Sequence, residues 1–311
     1  MKLKLFFLMA LLFVGVIGCV EETVQPEPLS LKSAQANVVQ LTPEFLDAMN
    51  LLIDERGDKF RIAMVETITK GNSDEIGQTI YSKFVGNKQL DSDFAPNDTW
   101  RSWSADNGNS ITYAIDMTED AEPSGLTAEE TEAAIVNAFN TWDAVNCSDL
   151  GLTRNPAEGI DLGYLAFLYG MDGSEEIVAD VMQCGWGFPL DAQTIGATFT
   201  FIWVDDTGEP LDMDGDGKND VAFRETYYNP IFNWVVEGGS LDNIDVQTIT
   251  THEIGHCLSQ AHFGMISINK AGKVIVAPRA LMNSIYLGPL HELLGTDKAG
   301  HCSIWDEWPL Y

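Results

Sequence analysis

Apolar residues recur along this chain with two periods, and each change of period marks an element. Over 126–145, "LTAEETEAAIVNAFNTWDAV", Ile135, Ala138, Phe139, Trp142 and Val145 return at three- and four-residue intervals. That spacing predicts an amphipathic helix with these side chains in the core. Thr127 and Glu130 ahead of it form a capping box. Thr42-Pro43-Glu44 opens another helix, through Ile53, with Phe45, Met49 and Leu52 on its stripe. Alternating or continuous apolar runs predict strands in "FRIAMVETI" (60–68), "SITYAID" (110–116), "GYLAFLYG" (163–170), "GATFTFIWV" (196–204) and "DVAFRETYYN" (220–229), the last with an exposed edge. "DVQTITTHEIGHCL" reads as a helix packed through Ile249, Ile254 and Leu258, and a short helix near 296–305 closes the chain. This order predicts an α/β sandwich, a sheet flanked by helices.

The two ends of the pattern divide the chain further. Lys2 and Lys4 precede an apolar run from Leu5 to Val16 that is too short for a permanent span, so residues 1–18 read as a signal peptide. Val16-Ile17-Gly18-Cys19 resembles a bacterial lipobox, which implies cleavage before Cys19 and lipid on its sulfur and amine. The other reading is an ordinary secretory signal with an incidental cysteine. Residues 19–40 are polar with two prolines and read as a tether. Glu21-Glu22 beside the cysteine resembles surface-export signals of some lipoproteins. The expected location is therefore outside the cell, on a bacterial outer membrane or cell surface, held to the membrane through Cys19 or released from it. The turn-rich "DSDFAPND" (91–98) separates a small unit over 41–98 from a larger one over 99–311.

Charge narrows the partners. The chain has 311 residues, 17 basic against 47 acidic, for a formal charge of −30. No nucleic-acid partner is expected, because a phosphate backbone needs Lys and Arg to displace its counterions. Docking on anionic lipid is disfavoured for the same reason. Divalent cations are attracted.

Three of the five histidines fall within "HEIGHCLSQAH", residues 252–262. Residues i and i+4 share a helix face, so His252 and His256 can reach one ion. Zinc favours imidazole nitrogen and leaves a position open in catalytic sites. Glu253 would stand beside that position as general base. On a continuous helix His262 would lie about 15 Å from His252 along the axis. The helix must therefore stop near Leu258 and turn back. Ser259 occupies the turn, at a cost of about 1–2 kcal/mol for a non-glycine residue in the left-handed region. His291 and His301 lack ligand spacing. A structural metal site is the alternative to a catalytic one, but it gives no reason for Glu253.

H-E-x-x-H-x-x-G-x-x-H followed by a Met turn is the metzincin signature. "HEIGHCLSQAH" with "ALMNSIY" (280–286) resembles it, and the matrixin branch in particular. The resemblance covers roughly residues 100–311. It implies a metzincin-like α/β fold: a twisted, mostly parallel sheet with an edge strand, an active-site helix and a C-terminal helix. It implies that His252, His256 and His262 hold zinc, that Glu253 is the base, that Met282 lies under the metal and that Tyr286 walls the substrate pocket. "LLGTDKAGHCSIW" is similar to the closing helix, with Asp297 at its acidic position. The departures are Ser259 for Gly, Asn283-Ser284 for an aromatic-Pro pair, and no cysteine between Cys19 and Cys147 for a cysteine switch. If 41–98 is a propeptide, Asp91, Asp93 or Asp98 is expected to block the metal instead.

With Cys19 lipidated, Cys147, Cys184, Cys257 and Cys302 suggest two disulfides, and four cysteines allow three pairings. Packing of the family's closing helix near the active-site helix favours Cys257–Cys302, leaving Cys147–Cys184. "DMDGDGKND" (212–220) spaces Asp212, Asp214, Asp216 and Asp220 as in a calcium loop, with Gly215 and Gly217 for tight turns but Phe223 where an EF-hand places Glu. A solvated acidic turn is the alternative.

The reading expected from these features is an exported, lipid-anchored zinc endopeptidase with calcium, acting on an extended protein or peptide beside the 220–229 strand. The alternatives are a non-catalytic surface binding or adhesion lipoprotein on a protease-like fold, and a zinc hydrolase of cell-wall peptide.

Overall fold

Thr42 starts the first helix, α1 (Pro43–Arg56), by accepting the Phe45 N–H at 3.2 Å, and Gly57, at φ 79°, ends it. The computed structural model describes residues 38–309 except 86–90, 105, 107, 119–121, 124 and 271–272. The signal peptide, Cys19 and nearly all of the tether lie outside the described residues.

After α1 come β1 (Phe60–Lys70), β2 (Thr79–Tyr81), β3 (Ser92–Asp93) and β4 (Ile111–Ile115). Next are α2 (Ala128–Asp143), β5 (Leu152–Arg154), α3 (Tyr164–Tyr169) and β6 (Val181–Gln183). The long strands β7 (Thr194–Trp203) and β8 (Asn219–Tyr228) precede β9 (Trp234–Val235), β10 (Ile244–Asp245) and the motif helix α4 (Val246–Cys257). The hairpin β11 (Met265–Ile268) and β12 (Val274–Ala277), then β13 (Ile285–Tyr286) and α5 (Gly295–Trp305), complete the chain. Among the described residues this is an α/β fold with five helices around a mixed nine-stranded sheet. No helix among them is long and apolar enough to cross a membrane.

The sheet runs β13-β1-β7-β8-β6-β4-β5, with β2 beside β1 and β3 beside β8. Its long ladders, β1–β7 and β7–β8, are antiparallel, and the pairings of β4, β5, β6 and β8 are parallel. The sheet is therefore mixed rather than mostly parallel. One face carries α2, α4 and α5 over a core that includes Ile135, Phe139, Trp142, Ile249, Ile254 and Trp305. The other carries α1 and α3, with Leu46, Met49, Ile53, Tyr164 and Leu165 against Phe199 and Phe201. The capping box of Thr127 and Glu130 forms as expected.

Four further expectations change. First, residues 41–98 are not a separate unit: β1 lies inside the sheet, paired to β7 from Phe60 to Thr69, and ten of its eleven residues are buried. Second, 220–229 is no edge: β8 is flanked by β7 and β6, so no peptide can add to it. Third, 163–170 is helical. Its run is uniformly apolar without alternation, glycines bracket it, and the Glu225 carboxylate of β8 accepts the Tyr164 and Leu165 N–H groups at its start. That partner comes from 60 residues away, so nothing local announces it. Fourth, the disulfide is Cys147–Cys302, which joins the segment after α2 to α5; Cys184 and Cys257 are buried thiols. Cys257 faces the sheet, 3.5 Å from Thr226 Oγ1, where Cys302 cannot follow.

Candidate metal centre

Asp245 caps α4, accepting the Thr248 N–H at 2.7 Å and its hydroxyl at 2.6 Å. The helix runs through His252 and His256 and closes at Leu258. Ser259 then takes φ 63°, in the left-handed region, and the chain doubles back. The reversal brings the third histidine home. His256 Nε2 lies 3.1 Å from His252 Nε2 and 3.2 Å from His262 Nε2. Nitrogens at two corners of a tetrahedron around a zinc ion stand about 3.3 Å apart, given bonds of about 2.0–2.1 Å. The three rings therefore fit a single metal ion.

The opposite ring nitrogens fix the tautomers. His252 Nδ1 donates to the Leu281 carbonyl and His256 Nδ1 to the Gln260 carbonyl, each at 2.8 Å. With protons there, both Nε2 lone pairs point at the common centre, the outer-shell arrangement usual for ligating imidazoles. Burial pushes His256 down to about 3 and lowers His252 and His262 as well, so the neutral, ligating form is favoured.

Glu253 is fully buried. Its Oε2 accepts a 2.6 Å hydrogen bond from Thr198 of β7, and Oε1 has no partner among the described residues. Burial raises its pKa to about 8. Gly196 makes room: a Cβ there would sit 2.7 Å from Glu253 Oε1.

Beneath the helix lies Met282. A Cβ on Gly255 would fall 2.2 Å from Met282 Sδ and 2.9 Å from the Trp142 ring, so the motif's glycine is required by close approach. Asp297 holds the turn that carries Met282, accepting N–H groups from Leu281 at 2.9 Å, Met282 at 3.1 Å and Leu294 at 2.8 Å. Since the Leu281 carbonyl receives His252, Asp297 orients that ring through one peptide unit. Asn283, the departure from an aromatic, is a staple. Its Nδ2 donates to the Phe263 and Pro278 carbonyls, and its Oδ1 accepts the Ala280 N–H. It thereby ties the segment of His262 to the Met282 turn. The Tyr286 hydroxyl accepts the Asp245 N–H at 3.2 Å, and its ring lines a small pocket with His252, Leu281 and Ile68.

A fourth group was not foreseen. Glu66 of β1 is buried with Oε2 3.1 Å from His256 Nδ1. Burial pushes its pKa up to about 7, against the pull of His262 and Arg224. Asp91, Asp93 and Asp98 do not take this place. Asp93 pairs with Lys218, Asp98 accepts from the Trp203 indole at 2.9 Å, and Asp91 is exposed. Only the period-2 alternation of β1 could have flagged Glu66, as an acid on an otherwise apolar face.

In the acidic loop, carboxylate oxygens of Asp212, Asp214 and Asp216 lie within 4.8 Å of one another and are exposed. Asp220 does not join them; it turns inward to accept the Met213 N–H, and burial raises its pKa to about 7. Lys218 already sets an ammonium 2.7 Å from Asp216. His291 pairs with Asp245 at 2.8 Å, and His301 is buried beside Trp142. No protein-family model matches the chain, and no curated protein aligns with it significantly.

Proposed function

We propose that the chain is a zinc-dependent endopeptidase with a metzincin-like fold. The observation that carries this reading is the convergence of three imidazole Nε2 atoms beside a buried glutamate with one free oxygen. The reversal at Ser259, Met282 beneath Gly255 and Asp297 behind the turn support it.

Zinc held by the three histidines supplies Lewis acidity, which acidifies water and polarises a peptide carbonyl. Thr198 holds Glu253 Oε2, so Oε1 is the atom that takes a proton from the attacking water and returns it to the departing amine. Burial alone favours the protonated acid. The carboxylate a base needs is favoured when positive charge is bound at the triad. The backbone carbonyls of Leu281 and Gln260 keep both helix histidines aimed as ligands throughout. The proposal extends to an exported lipoprotein anchored through Cys19 and to calcium at Asp212, Asp214 and Asp216.

A second reading, a non-catalytic surface binding protein, is favoured by one observation: His252, Glu253 and His256 are buried to within 1% of full coverage. The two are separated by assaying a broad quenched-peptide library with zinc and with a chelator. Glu253→Ala is expected to keep zinc and abolish hydrolysis. Hydrolysis that survives this substitution, or survives full chelation, sinks the peptidase reading.

A further inference from the structure

The side of β7 that faces the metal centre is not open. Gly196 and Thr198 of β7 touch Glu253, so an extended peptide presented to this glutamate would pair with the outer side of β7. That side is filled by β1, with Glu66 opposite Thr198, Thr67 opposite Ala197 and Ile68 opposite Gly196, antiparallel. The far side of β1 pairs with β13 in parallel, Thr69 opposite Ile285 and Lys70 opposite Tyr286.

The side chains of β1 are set for this position. A register shift between Ile62 and Met64 changes the phase of the strand. Phe60, Ile62 and Val65 enter the α1–α3 core, whereas Ile68 enters the core of the α4 face. Ile68 lines the pocket between His252, Leu281 and Tyr286, and is 2% exposed. Glu66, two residues before it on the same face, sets its carboxylate against His256. A strand serving packing alone would place an apolar residue there, because burying a carboxylate is costly without an opposing charge. The buried Arg224 guanidinium supplies part of that charge, and a metal ion held by the three rings would supply the rest.

We propose that β1 occupies the site's peptide position, so that the chain as folded is latent and carries its own ligand, anchored by Ile68 in the side-chain pocket and Glu66 over the histidines. This rests on the peptidase reading. A peptide enters when β1 leaves, and the pocket that Ile68 fills then takes an aliphatic side chain.

The test uses the full chain loaded with cobalt in place of zinc. The probe is a short peptidyl hydroxamate bearing a leucine side chain, which chelates the metal. Binding is read from the cobalt visible bands and β1 from amide hydrogen exchange over residues 60–70. The wild type is expected to bind the probe at least tenfold more weakly than Ile68→Ala or Glu66→Ala, with protection of β1 lost as the probe saturates. A second variant strengthens the strand instead. Thr67 directs its N–H away from β7 to Gln78, so Thr67→Cys with Ala197→Cys makes a non-hydrogen-bonded cross-strand pair suited to a disulfide. The oxidised variant is expected to exclude the probe and the reduced one to bind it as the wild type does. Equal affinity in all variants with β1 protection unchanged, or binding by the oxidised lock, overturns the proposal. Loss of β1 protection with no peptide hydrolysed by any form leaves β1 as the occupant and overturns the peptidase reading instead.

Discussion

Ser259 Oγ accepts a 3.1 Å hydrogen bond from Arg224 Nη1 while its backbone holds φ 63°. The same buried guanidinium donates to the Cys257 carbonyl at 2.6 Å, the Ser92 carbonyl at 2.9 Å and Thr200 Oγ1 at 3.1 Å. The serine that stands in the glycine position of the motif is therefore paired. Left-handed backbone costs a non-glycine residue about 1–2 kcal/mol. A hydrogen bond to a charged group contributes about 1.5–3 kcal/mol. The two terms nearly cancel, so Ser259→Gly is expected to change stability by no more than about 1 kcal/mol. Ser259→Ala keeps the strain and loses the bond, and is expected to cost about 1.5–3 kcal/mol. Urea midpoints of the metal-free chain measure both. An alanine variant as stable as the wild type would mean that the hydrogen bond from Arg224 contributes nothing at this turn.

Gly255→Ala tests the contact between the motif helix and the turn below it. The added methyl meets Met282 Sδ at 2.2 Å in a fully buried site. Either the helix lifts or Met282 moves, and both displace the Leu281 carbonyl that orients His252. Overpacking of this kind costs about 1–3 kcal/mol. Zinc affinity, from competition with a chromophoric chelator, is expected to fall at least tenfold with the lost orientation. Unchanged affinity would show that Met282 yields without moving the turn.

The convergence of the three histidines was largely legible in the sequence because its determinants are local. Histidines four and six residues apart define the helix and its reversal, and Thr127 with Glu130 marks a helix start without tertiary help. What could not be read depends on partners far along the chain. β1 reads as a strand, but nothing in "FRIAMVETI" says that it pairs with β7, more than 120 residues away, or that Glu66 meets His256. "GYLAFLYG" has strand-like residues, and its helix is settled by the Glu225 carboxylate. Four cysteines permit three sets of two disulfides, whereas the structure holds one bridge and two thiols, and only the approach of α5 to Cys147 selects it.

That pairing gives a direct measurement. Cys147 and Cys302 are bridged across a sequence separation of 155 residues. Closing so long a loop restricts the unfolded chain, and removing such a bridge costs about 2–5 kcal/mol. Cys147→Ser with Cys302→Ser is expected to lower the unfolding free energy by that amount. Cys184→Ser and Cys257→Ser are expected to leave the disulfide count unchanged. Peptide mapping of the unreduced chain after unfolding and alkylation should label Cys184 and Cys257 alone among the four. Label on Cys302 would refute the pairing.

His301 sets a pH dependence. Its ring is 2% exposed, 5.5 Å from Trp142 and 6.4 Å from Trp305, and its Nδ1 has no partner among the described residues. Burial pushes its pKa down from 6.5 to about 4. Between these values the unfolded chain binds a proton that the folded one does not, so stability rises with pH across the window. The contribution is fully present above pH 6.5 and is lost as pH falls toward 4. It amounts to on the order of 3 kcal/mol. His252, His256 and His262 act in the same direction when metal-free, since burial lowers them too. The comparison is therefore His301→Phe against wild type, both metal-free, by urea denaturation from pH 4 to pH 7. Phenylalanine keeps the aromatic packing and cannot titrate. The variant's stability is expected to depend less steeply on pH, with the two curves close at pH 7 and parting toward acid, where the wild type loses the contribution and the variant does not. Parallel curves would show that His301 gains its proton as readily in the folded chain as in the unfolded one.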